Sequence, residues 1–300
     1  MPNLQPPASN DRPFSLQRPV AIVTDSTACI PPDLAQQYGI EIVRVHIIAG
    51  GRTFTDSITA DTRGFYELLA RSTGRPTTAA PSPGMFFEAI TRALTRADAV
   101  LCITVSAQFS AMYDSARQAI VMARAEAPHA DVRLLDSRNA AMAQGFVVLE
   151  AARAAADDNS IDEVAARAEA MTQCVSLLAM LDTLSYLARS GRVPRVAAWA
   201  TGMLQVKPIV RFSASGIKLV ARTRTRPRAL ERMLDLLAKQ TAGRPTHLAV
   251  HHANAPDDAG RMLAAAQRRI NVVESHATEF TQAMGVHTGP GLIALAWWCE

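Results

Sequence analysis

One stretch near the start of the chain, residues 20–27, reads VAIVTDST. Its first five residues are mostly apolar or β-branched, which is typical of a short buried strand. Similar apolar runs follow, at residues 40–48, 99–105 and 132–135. Helical patterns lie between and after them, at residues 32–38, 62–71, 83–96, 109–126 and 138–156. Strands joined by helices of this length predict crossover connections and a mostly parallel sheet with helices on both faces.

Polar residues directly follow three of these predicted strands. Asp25 and Ser26 come after the first, Ser106 after the third and Asp136 after the fourth. Ligands of parallel sheets bind at the carboxyl ends of the strands, so this edge is the predicted location of a binding site. N-capping of the next helix would explain any one of these residues by itself, and that alternative stays open at each position.

The second half of the chain begins after a polar segment, residues 157–160. Its patterns alternate less regularly and include a hairpin-like pair of runs around residues 214–216. They predict a smaller α/β domain with a mixed sheet, whose last residues return to the cleft between the domains. We therefore expect a disordered leader at residues 1–18, an N-terminal α/β domain at residues 19–160 and a C-terminal mixed α/β domain at residues 161–300.

The composition fits a folded chain with a sizeable core. Of the 300 residues, 49% are hydrophobic and the formal net charge is +4, which argues against wholesale disorder.

The densest basic cluster, residues 222–228, lacks the interleaved aromatic residues of a single-strand binder, so we expect no nucleic-acid partner. No stretch approaches 18 uninterrupted apolar residues, which argues against a transmembrane segment. The four cysteines share no CxxC spacing, as expected for a cytoplasmic protein.

The common catalytic and cofactor signatures are absent from the sequence. It has no GxSxG elbow, no GxxxxGKS/T phosphate loop, no HExxH pair and no GxGxxG turn. The adjacent residues His251 and His252 point to opposite faces of a predicted strand, so they do not form one metal site together. We therefore expect no catalytic residue, no metal and no cofactor.

The segment before the last predicted strand is rich in glycine and proline. Residues 285–291 read GVHTGPG. Glycines that permit positive φ and a proline that removes a donor fix one tight path for the backbone, which leaves His287 at the lip of the strand. A purely structural turn is the alternative at this position. Together with the hydroxyls of Thr78, Ser106 and Ser110, this imidazole suits a carboxylate, since a phosphate normally recruits Lys or Arg.

These residues belong to a longer series of nine motifs along the chain. The motifs are Thr24-Asp25-Ser26, Asp56, residues 76–82 (PTTAAPS), residues 106–116 (SAQFSAMYDSA), Asp136-Ser137, residues 184–192 (LSYLARSGR), residues 206–209 (VKPI), Arg224-Thr225 and residues 287–291 (HTGPG). Each motif is weak alone, whereas all nine in this order are highly specific. In this respect the sequence resembles the DegV family of bacterial fatty-acid-binding proteins, from residue 19 to residue 300.

The resemblance implies a two-domain α/β fold that holds one long-chain fatty acid in a tunnel between the domains. It implies a carrier that is not itself an enzyme and that presents the acyl carboxylate to a separate fatty-acid kinase subunit. The kinase then forms the acyl phosphate, which enters phospholipid metabolism. A protein with this role is cytoplasmic and makes at most transient contact with the membrane.

Site residues follow from the resemblance position by position. Thr78 and Ser106 are expected to bind the carboxylate, with His287 close by. Residues expected to contact the head group or the kinase are Arg192, Arg224 and Ser110.

The sequence also departs from the family pattern in two places. Ala79 and Ala80 replace a hydroxyl and an amide of the loop that carries Thr78, and Ala111 and Met112 replace a Gly-Thr pair. These changes leave the head-group selectivity open. The alternative function is a phosphotransferase or hydrolase that acts on a small carbonyl compound, because dihydroxyacetone kinases use a related fold.

Overall fold

The computed structural model describes residues 18–57, 62–71, 76–192, 206–213 and 216–300. The predicted leader lies outside the described residues except for Arg18, which begins the first strand. The described strands are β1 (Arg18–Asp25), β2 (Glu41–Val43), β3 (His46–Ala49), β4 (Arg52–Thr55), β5 (Thr77–Ala79), β6 (Ala97–Thr104), β7 (Asp131–Asp136), β8 (Ser176–Met180), β9 (Lys207–Ser213), β10 (Gly216–Thr223), β11 (Thr246–His252), β12 (Val272–Glu279) and β13 (Ile293–Cys299).

Helices fill most of the connections between these strands. The described helices are α1 (Pro32–Tyr38), α2 (Thr62–Arg71), α3 (Pro83–Leu94), α4 (Met112–Glu126), α5 (Ala141–Ala156), α6 (Ile161–Cys174), α7 (Ser185–Ser190), α8 (Arg226–Thr241), α9 (Pro256–Gln267) and α10 (Gln282–Thr288). A short 3-10 helix, Ser26–Ala28, follows β1.

The first sheet is parallel, as the alternating pattern predicts, with strand order β2-β1-β6-β7. Its central strand β6 is buried from residue 99 to residue 104, because helices cover both faces of the sheet. Helices α3 and α4 pack together on this sheet, and α5 and α6 pack together on it as a second pair. All carboxyl ends of the four strands therefore lie at one edge.

The second sheet is mixed, with strand order β10-β9-β8-β13-β11-β12. Only β11 and β12 run parallel in it, and the C-terminal strand β13 lies between β8 and β11. Helices α8 and α9 contact this sheet, and α5 contacts β13 as well as β1. Helix α5 is buried around most of its circumference, which is typical of a helix enclosed between two layers.

A third, antiparallel sheet with order β4-β3-β5 differs from the prediction. The single strand predicted at residues 40–48 is wrong, because the chain leaves the parallel sheet after Val43 and enters the small sheet at His46. Val45 lies between them, where its N–H donates to the Ser26 hydroxyl at 3.2 Å. The small sheet places Thr78 of β5 opposite Ile47 of β3, and so brings a predicted site residue to the edge where the strands of the parallel sheet end.

Candidate functional site

A cavity of about 680 Å³, including its open mouth, lies among the strand ends, α7, α10 and the β9–β10 hairpin. Most of its wall is apolar, formed by Val45, Val105, Phe109, Met112, Ala140, Leu187, Phe212, Ile217, Ala283 and Met284. Its polar wall consists of Thr27, Thr78, Ser110, Arg192, His287 and Thr288. The cavity therefore suits a ligand that is largely hydrocarbon with one polar group.

Three of the predicted residues meet in one hydrogen-bonded group within the polar wall. The hydroxyl Oγ1 of Thr78 lies 2.8 Å from Nε2 of His287, although 209 residues separate the two in sequence. The Arg192 guanidinium donates from Nη2 to the same hydroxyl at 3.3 Å. Its Nη1 donates to the carbonyl of Ser190 at 2.8 Å, which holds the side chain at the end of α7. We call Thr78, Arg192 and His287 the polar triad.

His287 lies in the last turn of helix α10, not in an extended turn that enters the strand as the sequence suggests. The Thr281 side chain caps the start of this helix and Gly289 ends it, with φ +77°. A Cβ atom at Gly289 would overlap the ring of Tyr186 in α7. Glycine is therefore required at this position for α7 and the end of α10 to pack this closely, which brings Arg192 next to His287.

The electrostatics of the polar triad favour an anion. Burial is the main cause that lowers the pKa of His287 to about 4, with a further contribution from the charge of Arg192, so the imidazole is neutral at pH 7. Burial also lowers the pKa of Arg192. Among the described residues, no carboxylate lies within ion-pair distance of this guanidinium. One uncompensated cation and two neutral hydrogen-bonding groups thus face the cavity.

The other predicted residues lie elsewhere. Ser106 is buried, its hydroxyl accepts from the Gln108 N–H at 3.3 Å, and it does not belong to the cavity wall. Ser110 does line the cavity, where its hydroxyl accepts from the Met112 N–H at 3.3 Å. Arg224 is exposed between β10 and α8 and is not part of the wall. The structure therefore brings Thr78, Ser110, Arg192 and His287 together, and leaves Ser106 and Arg224 outside.

The acidic residues at the strand ends are engaged within the protein. Asp25 caps the 3-10 helix by accepting from the Thr27 N–H at 3.0 Å. It also accepts from the Val105 N–H at 2.8 Å and from the Gln144 side chain at 3.1 Å. Burial raises its pKa although these hydrogen bonds oppose the rise. Asp136 accepts from the Arg138 N–H at 2.8 Å. Capping, the alternative kept open above, therefore accounts for Asp25, and Asp136 makes the same kind of local bond.

Sequence reasoning missed most of the apolar wall. Phe212 and Ile217 enter it from the β9–β10 hairpin, and Phe109 packs edge-to-face against Phe212 with ring centres 6.2 Å apart. The only signal for these residues is an apolar side chain at a loop or hairpin position. Such a signal does not separate a cavity wall from an ordinary core contact, because both bury the same surface.

The described part of the chain contains neither a candidate membrane-spanning helix nor a candidate metal site. No helix in it has both the length and the apolar content that a membrane crossing requires. No group of three or more His, Cys, Asp or Glu residues in these ranges is arranged to hold a metal ion.

The fold and the cavity define an α/β protein with a largely apolar pocket at the carboxyl ends of a parallel sheet and one cation in the polar part of the pocket wall. The sequence model of the DegV family, described as an uncharacterised protein family, matches residues 19–300. The chain therefore belongs to the DegV family.

Individual relatives agree with this assignment. A DegV domain-containing protein of Streptomyces coelicolor is 34% identical over 283 residues, which cover 93% of this chain and 98% of the relative. Protein DegV of Bacillus subtilis is 30% identical over 280 residues, with the same two coverages.

Solved structures of the family have the same fold. The structure of the Bacillus subtilis DegV, described as a fatty acid binding protein, matches with a TM-score of 0.83 at 30% identity and covers 94% of this chain and all of its own. A DegV family protein from Thermus thermophilus, described by its fatty acid binding, matches with a TM-score of 0.84 at 25% identity and the same coverage.

Proposed function

We propose that this protein binds one long-chain fatty acid, with the acyl chain against the apolar wall and the carboxylate at the polar triad. The observation that carries the proposal is Arg192, a half-buried cation without a carboxylate partner among the described residues, in contact with Thr78 in the wall of a largely apolar cavity. Its hydrogen-bond acceptors are neutral oxygens, whereas a carboxylate would supply the opposite charge and stronger, charge-assisted hydrogen bonds, so this position favours an anionic ligand group. The related proteins described as fatty acid binding support the choice of ligand.

The energetics fit an amphipathic ligand of this kind. Burying one methylene group contributes about 0.8 kcal/mol, so a chain of about sixteen carbons offers about 12 kcal/mol before entropic costs. A hydrogen bond to a charged group contributes about 1.5–3 kcal/mol. The chain therefore supplies most of the affinity, and the polar triad fixes the orientation of the carboxylate. Contact of Ser106 with the carboxylate stays a prediction from the family resemblance.

We further propose that the protein is a carrier in the cytoplasm, which presents the carboxylate to a separate kinase subunit for acyl-phosphate formation. The family resemblance is the basis for this proposal, and the partly exposed Arg192 in the cavity wall is the residue expected to meet the kinase. The chain's own residues supply no phosphate loop. The four cysteines are unpaired, which is consistent with a reducing compartment.

Mass spectrometry of an organic extract tests the ligand directly. Protein purified without added lipid is expected to release free fatty acid in stoichiometric amount, which also gives the chain length. Absence of lipid, together with no thermal shift on addition of fatty acids of several lengths, would contradict the proposal and favour an enzyme that acts on a small carbonyl compound. Presentation of the carboxylate to a kinase is tested separately. The loaded protein is mixed with ATP and fatty-acid kinase subunits, and formation of the acyl phosphate is measured.

A further inference from the structure

Asp56, the residue that follows β4, is completely buried and lies outside the cavity wall. One oxygen of its carboxylate, Oδ2, accepts from the Ser26 hydroxyl at 2.6 Å. The other, Oδ1, accepts from the backbone N–H of Ala283 at 2.8 Å, across 227 residues of sequence. A carboxylate with two donors of this quality is held in one orientation and holds its donors in turn.

The donors of Asp56 belong to separate walls of the site. Ala283 is in the first turn of α10, the helix that presents His287 one turn later. Ser26 begins the 3-10 helix that contains Thr27 of the cavity wall. The N–H of Asp56 itself donates to the carbonyl of Val45, also a wall residue, at 2.8 Å. One buried residue therefore joins helix α10 and the end of the parallel sheet through its side chain, and the entry of the small sheet through its backbone.

Helix α10 also packs closely against Tyr66 of α2. Gly285, in the middle of the helix, lies against the hydroxyl of Tyr66, and a Cβ atom at this position would overlap that hydroxyl. Within the described residues, this buried Tyr66 hydroxyl has no hydrogen-bond partner. Close packing of this kind limits how near the helix approaches but fixes its position along its own axis only weakly. The Thr281 cap sets where the helix starts, and the directional bond of Ala283 to Asp56 ties that start to the rest of the protein.

We propose that Asp56 is a positioning residue for the binding site, which sets the place of helix α10 and thereby the contact between His287 and Thr78. The effect on ligand affinity rests on the proposed function, whereas the effect on His287 itself does not. Loss of the carboxylate leaves the Ala283 N–H without its acceptor, and α10 shifts to find another. The His287 imidazole then gains water and loses its distance to the Thr78 hydroxyl.

The test compares two variants of Asp56 with a matched control. Asp56→Ala removes both acceptors, and Asp56→Asn keeps one oxygen that can accept from the Ala283 N–H. Ser160→Ala is the control for the loss of an acceptor at a helix start away from the cavity, because the exposed Ser160 hydroxyl accepts from the Glu163 N–H at the start of α6 at 3.4 Å. The readouts are the His287 titration by NMR in ligand-free protein, the affinity for a fluorescent fatty acid, and the melting temperature.

Asp56→Ala is expected to raise the pKa of His287 by about one pH unit, because the imidazole becomes better solvated. It is expected to weaken fatty-acid binding about tenfold. Asp56→Asn is expected to keep the fatty-acid affinity within about threefold of the parent protein. The pKa of His287 in this variant is expected to stay within about half a pH unit of the parent value. Ser160→Ala lowers the melting temperature and leaves both values unchanged.

The proposal is overturned if Asp56→Ala lowers the melting temperature as the control does while the His287 titration stays the same. Should Asp56→Ala fail to fold, Ser26→Ala removes one donor of the carboxylate and is expected to raise the His287 pKa by a smaller amount, about half a pH unit. An unchanged titration in that variant would equally overturn it. If the parent protein binds no fatty acid, the proposed function fails, but the ligand-free titration still decides the role of Asp56.

Discussion

Two clusters of arginine and histidine lie near the ends of strands in this molecule. The basic side chains of one cluster contact a carboxylate of the protein, whereas those of the other contact none among the described residues. The first is the polar triad of Thr78, Arg192 and His287. The second, which we call the Glu274 network, joins three basic side chains to Glu274, and one of them, His247, also lies 3.2 Å from Glu300. Glu274 accepts from Arg153 at 2.5 Å and lies 2.6 Å from the ring nitrogen Nδ1 of His247 and 3.1 Å from Nε2 of His276.

The difference shows how a structural cluster can be told from a binding site. Glu274 is held ionised, since first its hydrogen bond to His276, and then those to His247 and Arg153, put its pKa well below the usual range. Its basic neighbours therefore need no ligand. Arg192 has no such acid among the described residues, and burial lowers its pKa. The internally neutralised network stabilises the fold, and the uncompensated triad is left for an anion.

Reversing the charge of Arg192 is expected to have the largest effect on binding. In Arg192→Glu a carboxylate faces the ligand carboxylate, so fatty-acid affinity is expected to fall by at least about 100-fold. Arg189→Glu is the matched control, because this substitution makes the same charge change three residues earlier in the chain. Arg189 is exposed, stacks on the ring of Tyr186 and is not part of the cavity wall. Calorimetric titration gives both affinities. Equal losses in the two variants would reduce the role of Arg192 to long-range electrostatics.

In the Glu274 network the expected loss is one of stability. Glu274→Gln should lower the free energy of unfolding at pH 7 by about 1–3 kcal/mol, because Arg153 loses its charged acceptor, while fatty-acid affinity stays unchanged. The folded-state pKa of Glu274 lies below its ordinary value of 4.5. Its contribution is therefore complete above about pH 4.5 and is lost as the pH falls toward the folded-state value.

Denaturant unfolding of both proteins from pH 7 to pH 3 measures this difference. The gap between parent and Glu274→Gln should narrow below about pH 4.5. A gap that is independent of pH would show that packing, not the charge of Glu274, accounts for the loss. A loss of fatty-acid affinity in this variant would contradict the separation of the two clusters.

Ligand binding itself is expected to change the titration of His287. Its pKa is about 4 in the free protein, where burial and Arg192 disfavour the charged form. A carboxylate beside the ring favours that form, so the pKa should rise by about one pH unit on binding. His251 is the internal reference, since burial lowers its pKa to about 3 and it lies within hydrogen-bond distance of Thr278 and Met142, outside the cavity. NMR titration with and without fatty acid resolves both rings, and a fall at His287 would place the carboxylate elsewhere.

The sequence predicts the parallel sheet well, because each of its strands is a separate apolar run between helical patterns. It fails at residues 40–48, where the apolar pattern continues although the chain changes sheets. The exit depends on a hydrogen bond from the Val45 N–H to Ser26, a contact across 19 residues that leaves no periodic signal. Periodicity reports the face that a residue buries but not the sheet to which its strand belongs.

The site is predictable in its composition and less so in its geometry. The family resemblance singles out all three members of the polar triad, but it groups Thr78 and His287 with Ser106 and assigns Arg192 to the head group or the kinase. The contact between Thr78 and His287 depends on the small sheet and on α10, neither of which the local pattern predicts. Arg224 and Arg192 are alike in sequence, since both lie in short basic segments. Only the packing of α7 against Gly289 distinguishes them, because it places Arg192 in the cavity wall and leaves Arg224 exposed.

The smallest expected effect separates the two hydroxyls that the sequence treats alike. Thr78 contacts both other members of the triad, so Thr78→Ala should weaken fatty-acid binding about fivefold, the value of one ordinary hydrogen bond. The Ser106 hydroxyl is engaged with the Gln108 N–H, so Ser106→Ala should change affinity by less than about twofold. Competition with a fluorescent fatty acid resolves this difference. The opposite ranking would mean that Ser106 turns toward the carboxylate when the ligand binds. Ser106 would then contact the ligand together with the polar triad.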